Sequence, residues 1–197
     1  AKSWPTRGVP QAETEVNVFG PKDAFCESMS VNIVLVRRRI KDTKLKVKRK
    51  TAGKRTRTGI ALLYMEDIVR PQILEKITRL TENITADSIF DSGMLEQLLE
   101  KNTYSPFPQM QLTERPDKAA AALMEGRVVI IVDNTPFSII LPTTLAVFFQ
   151  AAEDYYERFE IASVVRVLRY LGFFLAVFLP GLYIALTVFH QSQIPAS

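Results

Sequence analysis

Between Leu171 and Phe189 the chain reads LGFFLAVFLPGLYIALTVF, nineteen residues without a charge, and no Asp, Glu, Lys or Arg follows before Ser197. Coiled into a helix, such a stretch is about 30 Å long, the thickness of a bilayer's hydrocarbon core. A buried or exchanged core helix is the competing reading, but a core helix in so small a protein usually keeps a polar face, and this stretch has none. The expectation is therefore one transmembrane helix at 171–189 and a tail at 190–197, preceded by an extramembrane domain.

Charge divides the chain just as sharply. The first sixty residues hold fifteen Lys or Arg against five Asp or Glu, while the whole chain nets only +4, so the remainder is acidic on balance. Ala1 to Gly20 has no apolar core of a secretory leader. Arg158, Arg166 and Arg169 precede the apolar stretch closely and no Lys or Arg follows it. Both features place the N-terminal domain on the cytoplasmic side.

Along the chain, residues 1–13 read as a linker. An α/β domain, a mixed sheet with helices, is expected at 14–144, and an amphipathic juxtamembrane helical segment at 145–170. Thr14 to Phe19 alternates like a strand closed by Gly20-Pro21, and Asp23 stands where it would cap a helix from Ala24 to about Ile40. Thr58 to Tyr64 reads as an inner strand, Pro71 to Leu80 as a helix with Pro71 in its first turn, and Asn83 to Phe90 as a further strand. Ser92 would cap a short helix to Leu99. Tyr104 to Gln109 is a Pro-rich connector. A helix through Met124 is stopped by Gly126, and Arg127 to Val132 turns at Asp133-Asn134 into a partner strand from Pro136 to Leu141.

Between Arg37 and Arg57 lie twelve Lys or Arg and one acid, Asp42. Lys44, Lys46, Lys48 and Lys50 alternate with Leu45, Val47 and Arg49, the pattern of an edge strand protected by charge. A solvated edge is one reading, contact with anionic lipid headgroups a second, an acidic protein partner a third. Nucleic acid is not expected as a partner, because the block lacks interleaved aromatics and any recognition motif.

Few enzyme classes survive the composition. Cys26 is alone, so neither an internal disulfide nor a thiolate metal cluster can form, and the single His190 cannot make an acid–base pair. There is no glycine-rich phosphate loop, zinc-binding histidine motif or serine elbow. The carboxylates Asp67, Asp87, Asp91, Asp117 and Asp133 scatter over turns and helix starts. No catalytic residue, cofactor or metal is expected.

GPKDAF at 20–25, NIVLVRRRIK at 32–41, SPFPQ at 105–109, TERPD at 113–117, EGRVVIIVDNTPF at 125–137, DYYERF at 154–159 and LPGLYIALTVFHQSQIP at 179–195 occur in that order. This collinear set resembles the A-subunit family of bacterial spore germination proteins, which includes nutrient germinant receptor A subunits and a related sporulation stage V membrane protein. The wording GVP and FGPKDAF leans toward the latter. The resemblance implies a cytoplasmic region of two α/β subdomains, then a multi-helix membrane domain in the spore inner membrane. It also implies complexes with other germination-protein subunits and an oligomeric, nutrient-gated ion channel. This chain would correspond to the second subdomain and the first membrane helix.

On that basis Gly20 and Pro21 are expected to shape a strand-to-helix corner. Arg37, Arg38 and Arg39, with Lys44, Lys46, Lys48, Arg49 and Lys50, would meet membrane lipids or a neighbouring subunit. Arg115 with Asp117 would hold the Pro-rich connector. Tyr155, Tyr156, Arg158 and Arg169 would seat the membrane junction, and Pro180 with Gly181 would bend the helix.

Overall fold

In the computed structural model, the residues described are 8, 10–15, 20–100, 108–144, 147, 149 and 159–189. They fall into two compact units, Ala1–Leu145 and Ala146–Ser197. The expected strand at 14–19 and the connector at 104–109 lie largely outside the described residues, as do Tyr155, Tyr156 and Arg158.

The first unit is built on a five-stranded sheet. Its strands are β1 (Leu45–Ala52), β2 (Thr58–Met65), β3 (Gln111–Thr113), β4 (Val128–Val132) and β5 (Ser138–Leu141), in the spatial order β1-β2-β4-β5-β3. The helix-and-sheet class expected from the sequence is present, and all four pairings are antiparallel. Among the described residues of this unit, four helices accompany the sheet: α1 (Met29–Arg39), α2 (Pro71–Glu82), α3 (Ser92–Leu99) and α4 (Pro116–Met124).

The apolar run in β4 is explained by burial on both faces. Val129 and Ile131 join Ile33, Val36, Ala119 and Leu123 from α1 and α4 in one core. Val128, Ile130 and Val132 join Ile77, Leu95 and Leu99 from α2 and α3 in the other. Period-two alternation sends neighbouring side chains to opposite faces, so a central strand covered on both sides must be apolar throughout.

Local chemistry sets the element ends. Pro71 and Pro116 each occupy the first turn of their helix, where a missing N–H costs nothing. Gly126, at φ 81°, ends α4. Its N–H reaches the Leu123 carbonyl, and the Arg127 N–H reaches that of Ala122.

Three expectations need correction. The helix after Gly20-Pro21 begins at Met29 rather than Ala24, because Ala24 to Cys26 are committed to other partners. The Ala24 N–H donates to Pro10, the Phe25 N–H to Glu114, and the Cys26 N–H to Asn32 Oδ1. Gly20-Pro21 is thus followed by an extended stretch and not by a helix, and Asp23 pairs with Arg39 instead of capping α1. Asn83 to Phe90 is no strand. It is a strap whose carbonyls at Ala86 and Asp87 take N–H groups from the β1–β2 turn. The cap of α3 is Asp91, which accepts from the Met94 N–H, while Ser92 is the first helical residue.

The second unit contains α5 (Phe159–Ile184), continued by a π-helical turn at Ala185–Phe189. Residues 159–170 and the apolar stretch therefore share one continuous helix. Every residue from Leu171 to Ile184 is exposed, and the helix is long and apolar enough to cross a membrane.

Candidate membrane and assembly surfaces

Among the described residues, the basic strand β1 sits at the sheet edge, paired on one side only, to β2. Lysines in this position charge the free ladder edge and discourage pairing with another chain. Much of that charge is met from within the chain. Lys44 Nζ lies 2.9 Å from Asp67, Lys46 3.1 Å from Glu66 and Lys50 2.6 Å from Glu82. Lys48 stands over the Tyr64 ring, 5.3 Å from its centre. The hydrogen bond between Lys44 and Asp67 raises the ammonium pKa and lowers that of the carboxylate.

At the end of α1 the three arginines separate. Arg37 and Arg38 are exposed, whereas Arg39 is half-buried and spends its guanidinium on Asp23 and the Leu35 carbonyl. Pro21, Lys22, Asp23, Arg38 and Arg39 line an open cleft of about 540 Å³ there.

A buried polar cluster lies at the start of α4. Arg115 is fully buried and grips Asp117 with two guanidinium nitrogens, Nε standing 3.0 Å from Oδ1. Glu114, also buried, accepts the backbone N–H groups of Thr14 and Glu15 at 2.6 and 2.7 Å. Burial pushes the Glu114 carboxyl pKa up, but the N–H donors from Glu15, Thr14 and Glu13 outweigh it and hold it below the ordinary value. Glu15 answers through its own carboxylate, taking the Thr113 hydroxyl at 2.7 Å and Lys118 Nζ at 3.0 Å. The cluster therefore clamps the segment around Glu15 onto α4. Arg115 and Asp117 were expected to hold the Pro-rich connector, most of which lies outside the described residues.

In the second unit, the Phe149 ring lies 4.8 Å from that of Tyr170 and 5.1 Å from that of Phe173. Arg169 donates to the Phe149 carbonyl at 3.1 Å. Residue 149 is thereby held against the turn where α5 loses its last charge. Farther along, Pro180 lies inside α5 and removes one backbone donor. The Thr187 hydroxyl bonds the Tyr183 carbonyl at 2.8 Å, helping to satisfy the backbone where the helix widens to π geometry. Among the described residues, no group of three or more His, Cys, Asp or Glu is placed to hold a metal ion.

Residues 1–197 match, over their whole length, the profile described as Bacillus/Clostridium GerA spore germination protein. The chain belongs to this family. Its GerA relatives include spore germination protein KA of Bacillus subtilis (strain 168), 45% identical over 189 residues. That alignment covers 96% of this chain and 35% of the relative. Spore germination protein A1 of the same organism is 41% identical, with 98% of this chain and 40% of the relative aligned. Stage V sporulation protein AF is 38% identical over 91% of this chain and 37% of its own length, so the higher identity falls to KA. This GerA chain thus spans between a third and two-fifths of the relatives' length.

Among solved structures, the chain is similar to the N-terminal domain of the A subunit of the Bacillus megaterium spore germinant receptor GerK3. Identity is 42% and the TM-score 0.51, with 62% of this chain and 97% of that one covered. A further relative, YfkQ of Bacillus subtilis, is named a membrane protein, and with the apolar α5 it supports membrane association of this GerA chain.

Sequence reasoning reached Arg115 and Asp117 but missed Glu114 and Glu15, the other half of the clamp. The one available signal was a Thr-Glu-Arg run directly before a helix-starting proline, more polar than a buried turn normally is. It also missed β3, whose three residues carry almost no periodic signal.

Proposed function

We propose that this chain is a non-enzymatic component of a membrane complex in bacterial spore germination, coupling its helix-and-sheet domain to membrane helices. The observation that carries this reading is the full-length GerA match of a chain whose α5 is long and apolar enough to cross a membrane. In this reading α5 spans the spore inner membrane with the first unit on the cytoplasmic side, as Arg166 and Arg169 before the apolar stretch favour. Other germination subunits and further copies of the chain assemble around it. The similarity to a domain of the A subunit of the spore germinant receptor GerK3 supports such partners.

Mechanistically, the reading needs a mechanical link and no bond chemistry. A continuous helix transmits rotation or tilt along its axis, and Phe149, Tyr170, Phe173 and Arg169 fix the level at which it enters the bilayer. Pro180 supplies a place to bend within the helix, toward the widened turn. Nutrient-responsive ion conduction is the proposed output of the assembled complex.

Deleting the coding region from its spore-forming host tests the proposal. Nutrient-triggered loss of spore refractility should slow, and the tagged chain should fractionate with spore inner membranes. Unchanged timing for every nutrient, with the chain in the soluble fraction, would overturn it.

A further inference from the structure

The five-residue turn joining β1 to β2 carries three cations, Lys54, Arg55 and Arg57, all exposed and with no ion pair among the described residues. Its backbone is firmly held. Gly53 and Arg57 take positive φ values of 84° and 47°, and the Arg57 N–H closes the turn onto the Gly53 carbonyl at 3.2 Å. The strap at 83–90 is laced to it. Lys54 and Arg55 donate their N–H groups to Ala86 and Asp87 at 3.1 and 2.8 Å, and the Ile89 N–H donates to the Thr56 hydroxyl at 3.1 Å. The Thr58 hydroxyl bonds the Ile89 carbonyl.

This lacing buries Ile89 at 1% exposure and leaves the next side chain, Phe90, 68% exposed. A large aromatic side chain left in water, one residue beyond the segment that a cationic turn binds through its backbone, is an arrangement that core packing does not explain. It matches the amphiphilic boundary of a bilayer, where rings enter the headgroup layer and cations meet phosphate.

We infer that the β1–β2 turn and Phe90 form a docking surface for anionic phospholipid headgroups. Lys54, Arg55 and Arg57 bind phosphate and Phe90 enters the boundary between headgroups and acyl chains. This moves the lipid-binding charge away from the strand lysines Lys44, Lys46 and Lys50, whose ammonium groups already face Asp67, Glu66 and Glu82. Asp87 in the strap and Asp91 just after it are acids near the turn in the chain, and Asp91 is turned to the Met94 N–H as the cap of α3. Each cation near an anionic surface strengthens binding by roughly fivefold, too little to recruit a free domain but enough to dock a tethered one. The inference rests on α5 being the tether, and its test reports on the two separately.

The full chain, carrying Trp4→Phe and Phe90→Trp so that residue 90 holds the sole indole, is placed in nanodiscs of phosphatidylglycerol or of phosphatidylcholine. Copurification with the discs reports on the tether. In phosphatidylglycerol discs, Trp emission should shift to the blue and be quenched by brominated acyl chains. The shift should vanish in phosphatidylcholine discs and in the Lys54→Gln, Arg55→Gln, Arg57→Gln triple variant. Disc incorporation with water-like, unquenched emission in both lipids would overturn the inference and leave the tether intact. So would a blue shift that appears only on adding an unlabelled second copy, since the occupant is then protein. Failure to enter discs of either lipid would sink the tether and the inference together.

Discussion

Arg115 has no exposed side-chain surface, yet it carries a full charge in the interior. Such a group is tolerated because Asp117, itself only 14% exposed, meets it through two guanidinium nitrogens. Removing one member leaves the other charged and poorly solvated. Arg115→Met should therefore cost about 3 kcal/mol or more of first-unit stability. Amide exchange of β4 in the detergent-solubilised chain would register this as roughly a hundredfold loss of protection. Glu114 gives the same cluster a pH dependence. Its carboxyl pKa is depressed in the folded state from 4.5, so it stabilises above that value and the benefit is lost as pH falls through the depressed pKa. The urea midpoint should fall on acidification below about pH 4.5, the ordinary range of a Glu carboxyl. Glu114→Gln should flatten that part of the curve, and an unchanged slope would mean that Glu114 is not the acid-sensitive group.

At the scale of elements, β1 shows how a sequence pattern acquires its meaning. Lys44 to Lys50 spell an edge strand, and β1 is one. Alternation sends Leu45 to one face of the sheet and Ala52, seven positions on, to the other, and each is buried in the core on its side. What alternation cannot report is the partner of each lysine, because Glu66, Asp67 and Glu82 arrive from β2's exit and α2. Replacing Lys46 and Lys48 with valine should preserve the fold and leave the first half of the β1 ladder edge uncharged. Light scattering of the solubilised chain should then rise with concentration where that of the parent stays flat. The false strand at Asn83 to Phe90 has a similar origin. Ile84, Thr85, Ile89 and Phe90 suit a strand, but the Ala86 and Asp87 carbonyls are taken by the β1–β2 turn, which leaves no ladder to join. The start of α1 was misplaced for the same kind of reason. Phe25 falls at helical spacing with Met29, Ile33, Val36 and Ile40, yet Glu114, almost ninety residues on, claims the Phe25 amide.

For the whole molecule, the proposed function turns on the transfer of α5 into lipid. Its exposed residues from Leu171 to Ile184 carry no charge, and a lysine near the centre of such a helix costs about 2.5–3.5 kcal/mol of insertion. Phe178→Lys should therefore lower the membrane-integrated fraction, scored by resistance to alkaline extraction, whereas a lysine at the exposed α1 position Val34 should leave it unchanged. Equal extraction of the two variants would argue against a spanning α5.

Local and periodic information was enough for much of this protein. The uncharged nineteen residues, the proline-started helices, the β4–β5 hairpin and the charged edge strand each follow from side chains within a few positions of one another, and these were legible from the sequence. The pairing of Glu114 with the amides of Thr14 and Glu15, the neutralisation of the strand lysines and the exposure of Phe90 in the strap that the cationic turn holds were decided only in three dimensions. Each depends on contacts between residues about twenty to a hundred positions apart, and a hydrogen bond or ion pair at that separation leaves no periodic trace in the chain that forms it.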